Sequence, residues 1–113
     1  MMAFGSAKSV KHREIDAAAL DALIKAHHVL VVDVREVDEF AAGHIPGAIN
    51  MPLSTFRANK LPEHKGKMVV LNCLGGKRSA QALDKCALAK GTVDTHLTGG
   101  FGAWKSAGLP IEP

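Results

Sequence analysis

The sequence contains no tyrosine, one tryptophan and four phenylalanines, an aromatic share of 4%. Single-stranded nucleic acid is gripped by stacking its bases on aromatic rings, so that mode of binding is excluded. Cysteine is equally sparse, with Cys73 and Cys86 standing 13 positions apart. Two thiols are too few for a disulfide-dense secreted scaffold, and their spacing fits no zinc ribbon. No apolar run approaches the roughly 18 residues needed to cross a bilayer, and Asp33 interrupts the longest strand-like stretch. The opening fourteen residues, MMAFGSAKSVKHRE, have no apolar run ahead of their polar positions and so lack the order of regions of a secretory signal. These absences set the expectation of a reducing, cytoplasmic setting and of no membrane segment within the chain.

What is present fits one ordinary domain. The 113 residues are 47% hydrophobic and 22% charged, enough apolar material for one core and too little chain for two. The net charge of +3 arises from 14 Lys and Arg dispersed among 11 acids. That dispersal describes a mixed solvated surface rather than a basic stripe, and no nucleic-acid partner is expected.

Hydrophobic spacing supplies the elements. After Asp16, a natural N-cap, residues Leu20, Leu23, Ile24 and His27 fall on one helical stripe over 17–26. Residues 29–34 form a continuous β-branched run, the pattern of a strand buried on both faces of a parallel sheet. A short helix is predicted over 36–42, stopped by Gly43, with a turn at 44–47 and a short strand at 48–50. Residues 53–67 read as a polar connection with one or two helical turns. Residues 68–72 repeat the buried-strand pattern and run directly into Cys73-Leu74-Gly75-Gly76-Lys77-Arg78. Ser79 then opens a helix to about Lys90, with Ala80, Leu83, Ala87 and Leu88 inward. Val93, Thr95 and Leu97 give a last strand, followed by a helix over 101–107. Alternating strands and helices imply an α/β domain, a mainly parallel sheet flanked by helices on both faces.

Ligands of open α/β sheets collect at the carboxyl ends of the strands, and Cys73 falls at such an end. The start of the following helix, Lys77 and Arg78, and backbone N–H groups curled around the sulfur would each stabilise a thiolate. Gly75 and Gly76 are expected to take positive φ values and bring those N–H groups close. Arg78 has two readings: its planar fork fixes loop carbonyls, or it meets an incoming anion. Lys77 is either a substrate contact or a solvated lysine.

At this point the residues resemble the rhodaneses, a family of single-domain or tandem sulfurtransferases. The resemblance runs from about Ile15 to Ile111. It rests on Asp33-Val34-Arg35 with Glu39-Phe40, on the segment from Gly43 to Asn50, on Cys73-x-x-Gly76-x-Arg78-Ser79, and on Gly99-Gly100-Phe101 with Ala103-Trp104. It implies an N-terminal extension over residues 1–12 and a rhodanese-like domain over 13–113. It also implies that Cys73 takes a sulfane sulfur from a donor, such as thiosulfate or a persulfide. The sulfur would be held as a persulfide by Leu74, Gly75, Gly76, Lys77 and Arg78, then passed to cyanide or a thiol. A sulfur-carrier protein is a further candidate partner. Leu74 stands where many relatives have a polar or basic residue.

Other residues have quieter readings. Asp33, Arg35 and Glu39 are either an acid/base set or, more simply, an ionic brace behind the loop, with Ser79 supporting the helix start. His44 is a proton donor or a framework residue of its turn, and Trp104 belongs to the core. His27, His28 and His96 show no ligand spacing, so neither a metal nor a cofactor is expected. Cys86 lies some 10 Å along the helix at about 1.5 Å per residue, which favours packing over a resolving thiol. Two rivals remain: a small cysteine-dependent phosphatase or arsenate reductase, and a non-catalytic binding module. The family resemblance links four residues between cysteine and arginine to sulfur transfer, and five to phosphate-sized oxyanions. Rhodanese modules also occur fused to membrane helices or oxidoreductases, so the chain stays open to being one part of a larger protein.

Overall fold

Two runs of β-branched and leucine side chains take the middle of the sheet because each can bury both faces. The computed structural model describes residues 12–113; the extension expected over 1–12 lies, apart from His12, outside the described residues. The strands are β1 (Arg13–Ile15), β2 (Val29–Asp33), β3 (Ile49–Asn50), β4 (Met68–Asn72) and β5 (Thr95–Leu97). They lie in the order β1-β5-β4-β2-β3, and every pair is parallel. The register of β2 on β4 runs from Val29 opposite Met68 to Asp33 opposite Asn72. Val31 and Val70 face one core, Val32 and Leu71 the other, which is the division that unbroken apolar runs require.

Helices α1 (Ala17–Lys25) and α4 (Gly100–Ser106) cover the first face through Leu20, Phe101 and Trp104. Helix α3 (Lys77–Leu88) covers the second through Ala82, Leu83 and Cys86, joined by Phe56 beside the 3-10 turns Leu53–Thr55 and Ala58–Lys60. Helix α2 (Val37–Ala41) buries none of its residues. The predicted cap is present: the Asp16 carboxylate accepts the Ala19 N–H at 2.8 Å.

Three local readings are corrected. β1 has no counterpart in the hydrophobic pattern because Arg13 and Glu14 are exposed and only Ile15 turns partly inward. His27 leaves the helical stripe: α1 stops at Lys25, and His27 is exposed in the left-handed region at φ 60°. Helix α3 begins at Lys77, two residues before Ser79, and its buried stripe is Ser79, Ala82, Leu83 and Cys86. Leu88 is 85% exposed. Leu83 is buried as expected, but Ser79, Ala82 and Cys86 beside it carry little hydrophobic signal, and Leu88 drew the predicted stripe to one side.

From β2 the chain steps outward to β3, and from β4 it steps the opposite way to β5. The reversal leaves a crevice between the carboxyl ends of β2 and β4, where such sheets bind their ligands. The C-terminal segment closes the distal side. The Trp104 indole Nε1–H donates to the Pro110 carbonyl at 2.7 Å, and His44 and Glu112 exchange two backbone bonds of 2.8 and 2.9 Å. Trp104→Ala should lower unfolding free energy by about 3–5 kcal/mol, as for other buried tryptophans. Urea titration checks this, and a loss below about 1 kcal/mol would remove Trp104 from the core account.

Candidate active site

Cys73 follows the last residue of β4 and is only 1% exposed. The chain turns at once into α3, so the sulfur sits where that helix presents unpaired N–H groups and the positive end of its dipole. The Gly76 N–H donates to Cys73 Sγ at 3.0 Å, and the Ser79 hydroxyl stands 3.6 Å from the same sulfur. Burial is the largest single influence on this thiol and opposes its ionisation. The Ser79 hydroxyl and the backbone of Ser79, Gly76 and Gly75 act in the other direction and outweigh it, so the thiol ionises below its ordinary range. Cys86 is equally buried but is pushed up by burial, with no such donors around it. It is a packing residue of the core.

The glycines divide the labour differently from expectation. Gly76 caps α3 at φ 115°, a conformation that side chains rarely adopt. Gly75 has no positive φ, and a Cβ on either residue would meet nothing within 4 Å. Close approach belongs instead to Gly100, at φ 59°, where a Cβ would collide with the Cys73 carbonyl oxygen and lie 2.6 Å from Leu74 backbone atoms. That contact lets the N–H groups of Phe101 and Gly102 donate to the carbonyls of Cys73 at 2.7 Å and Leu74 at 3.0 Å. The start of α4 thus clamps the loop backbone from behind.

Arg78 does not fix the loop carbonyls, the first of its two readings. Its guanidinium forms a two-pronged pair with Glu39 of α2, at 2.7 and 3.0 Å, across the crevice. Glu39 Oε1 also accepts the Glu36 N–H at 2.9 Å, closing a capping box on α2. Glu39 is therefore not the partner of Asp33 and Arg35. Those two form their own pair: the buried Asp33 carboxylate accepts from the Arg35 backbone N–H at 2.9 Å, from Nε and from Nη2 at 2.8 Å. Nη2 also donates to the Gly43 carbonyl at 2.7 Å, and the guanidinium lies 4.2 Å from the centre of the Phe101 ring.

Of the remaining candidates, Leu74 is 50% exposed beside the nucleophile, and Lys77 is exposed on the first turn of α3. His44 fills a framework position, its ring stacked on Phe40 and its Nδ1 2.9 Å from the Phe40 carbonyl. His96 is the residue that sequence reasoning missed. It is buried on β5, with Nδ1 2.7 Å from Ser79 Oγ. The available signal was a polar residue at the centre of a short strand otherwise made of Thr95 and Leu97. Cavities of about 190 and 290 Å³ open at the amino ends of the strands, beside Met68 and Val29, and neither includes a residue of the Cys73 loop.

The parallel α/β sheet, with a buried cysteine at the end of its central strand and the Gly76 N–H on the sulfur, sets the class of domain. The family model of the rhodanese-like domain matches residues 16–107, and the chain belongs to that family. A sulfurtransferase of Allochromatium vinosum is 40% identical over 105 residues, covering 87% of this chain and 92% of that protein. Synechocystis protein slr1261 is 45% identical over 82 residues, 73% of this chain, but the chain spans only 46% of its length. Among solved structures, a rhodanese-related protein of Thermoplasma volcanium superposes with a TM-score of 0.76 at 32% identity, covering 89% of this chain and 98% of that one. Among the described residues, no helix is long and apolar enough to cross a membrane.

The Arg78 hydrogen bond is the chief reason the Glu39 carboxyl is held down to about 2, against the opposing effect of burial; the Glu36 N–H adds to it. A carboxyl that ionises more readily folded than unfolded contributes stability that is complete above its ordinary pKa of 4.5 and is lost as pH falls toward about 2. Both side chains are partly exposed, which limits the contribution to about 1 kcal/mol. Glu39→Gln should be less stable near neutral pH and should flatten the decline in stability across that acid window. Parallel pH profiles for the two proteins would show that the pair contributes nothing.

Proposed function

We propose that this domain transfers a sulfane sulfur through a persulfide on Cys73. The observation that carries the proposal is the pairing of a buried, readily ionised thiol, met by the Gly76 N–H at 3.0 Å, with an arginine turned away from it onto Glu39. A site built for a phosphoryl dianion needs that guanidinium aimed at the ligand. A site for one sulfur atom needs only the converging N–H groups.

In the first half-reaction the Cys73 thiolate attacks the sulfane sulfur of thiosulfate or of a small persulfide. A new S–S bond forms, the donor's own S–S bond breaks, and sulfite or a thiolate leaves. In the second, cyanide or a thiolate attacks the outer sulfur and Cys73 departs as a thiolate, which is ping-pong covalent catalysis. A persulfide is a weaker base than a thiol, so it stays anionic and uses the same donors. The outer sulfur stands one S–S bond, about 2 Å, beyond a sulfur that is otherwise sealed off, and becomes the atom an acceptor meets. Exposed Leu74 favours an acceptor with an apolar surface beside its nucleophile, as a carrier protein would offer. A free thiol nucleophile suits a reducing compartment such as the cytoplasm.

Cys73→Ser should abolish thiosulfate-to-cyanide sulfur transfer with folding intact, and Cys86→Ser should keep most of the activity. Inserting one glycine between Gly75 and Gly76 displaces the donors, and misplacement of about 1 Å costs on the order of 100-fold in rate. Initial-rate assays with sulfur donors and with an aryl phosphate test all three variants. Substantial turnover by Cys73→Ser, or efficient aryl phosphate hydrolysis by the natural chain, would overturn the proposal.

A further inference from the structure

The reaction above uses Cys73 and the Ser79 hydroxyl but leaves His96, the buried partner on the other side of that hydroxyl, without a role. Ser79 Oγ, itself fully buried, lies 3.6 Å from Cys73 Sγ, 3.1 Å from the Gly76 carbonyl and 2.7 Å from His96 Nδ1. The far side of the imidazole is also occupied, since His96 Nε2 is 3.8 Å from Glu14 Oε2. Glu14 and His96 are direct partners in the register of β1 on β5. The alignment therefore reads, in order, a thiol, a hydroxyl, an imidazole and a carboxylate at the solvent edge.

We infer that Ser79 and His96 form a proton relay that draws the Cys73 thiol proton inward onto the imidazole. The inference rests on Cys73 being the nucleophile. The relay uses the tautomer with the hydrogen on Nε2, on the side of the Glu14 carboxylate 3.8 Å away, which leaves Nδ1 as an acceptor for the Ser79 O–H. In that arrangement the one hydrogen of Ser79 goes to His96 at 2.7 Å in preference to the Gly76 carbonyl at 3.1 Å, and a lone pair of its oxygen faces the thiol. On ionisation the S–H bond breaks and a new O–H bond forms at Ser79. The former Ser79 hydrogen crosses to Nδ1, leaving a thiolate at Cys73 and an imidazolium at His96. Serine ends as a hydroxyl, now donating to the sulfur anion, and no other reactant is consumed.

The surroundings of the imidazole keep it uncharged and so leave Nδ1 able to accept from Ser79. Burial lowers its affinity for a proton, Glu14 raises it, and His12 lowers it. His12 packs edge-on at 5.8 Å between ring centres and is itself held by Asp84 of α3, 3.0 Å from Nε2. The net direction of these influences is downward, which keeps His96 neutral while Cys73 is a thiol; in the relay, the negative charge of a thiolate two hydrogen bonds away is what favours the imidazolium. His96 touches no reacting atom and acts only through Ser79, so it is a positioning residue.

The test follows thiolate ultraviolet absorbance against pH in a Cys86→Ala background, where Cys73 is the only thiol. His96→Asn can still hydrogen-bond Ser79 but cannot take the proton. It should raise the apparent Cys73 pKa by about one pH unit, a tenfold loss of thiolate at a given pH. Ser79→Ala should raise it at least as far, and the double variant no further than Ser79→Ala alone. An unchanged titration in His96→Asn, or additive shifts, would overturn the relay. A second measurement needs no substitution: nitrogen NMR of His96 before and after iodoacetamide alkylation of Cys73. Removing the thiolate should lower the His96 pKa, and an unmoved titration would overturn the relay as firmly. Both readouts report ionisation alone. A protein that shows the coupling yet never loads sulfur would therefore fail the sulfur-transfer reading and leave the relay standing.

Discussion

Cys73 is 1% exposed, yet the groups around it favour its thiolate, and this constraint organises its surroundings. Removing a charge from water costs several kcal/mol even after relaxation, unless protein donors replace the lost solvent. Each hydrogen bond to a charged group contributes about 1.5–3 kcal/mol. The Ser79 hydroxyl and the backbone of Ser79, Gly76 and Gly75 together are therefore of the size needed. Donors of this kind help only where they cannot swing away. Cys86 makes the contrast within one molecule: the same residue type, the same burial, no donor to its sulfur among the described residues, and a shift in the opposite direction.

Three parts of the fold keep the loop in place. The parallel pairing of β4 with β2 fixes where the strand ends, with Asp33 opposite Asn72 and the Val34 N–H donating to the Asn72 carbonyl at 2.8 Å. Behind the loop, Phe101 and Gly102 hold the carbonyls of Cys73 and Leu74. The Phe101 ring meanwhile lies under the Arg35 guanidinium, so the buried Asp33–Arg35 pair reaches the nucleophile through one aromatic residue. In front, the Arg78–Glu39 pair ties the first turn of α3 to α2. A free arginine at that position would be an anion receptor, and a tethered one is a strut.

Much of this was legible in the sequence. The β-branched runs identified the two central strands because strands buried on both faces leave no room for polar alternation. Asp16 and Gly43 marked helix ends for reasons of local chemistry. Cys73 stood out because a strand end followed by Gly-Gly and two basic residues surrounds a thiol with the donors and positive charge that a thiolate needs. Less was legible where partners are distant in the chain. Arg78 and Glu39 are 39 positions apart, and Gly100 presses on a residue 27 positions earlier, so no spacing rule links them. His96 was passed over because its meaning comes from a serine on another element. β1 was missed because a three-residue edge strand buries too little to leave a pattern.

The central claim is that the Cys73 loop stabilises a sulfur anion well enough to hold a persulfide. The most direct measurement exposes the oxygen-free protein to thiosulfate, and separately to glutathione persulfide, then reads intact and fragment masses. The account predicts one added sulfur atom, located on the peptide containing Cys73 and removed by cyanide, with Cys86 unmodified. A protein that gains no sulfur from either donor, or gains it on Cys86, would contradict it.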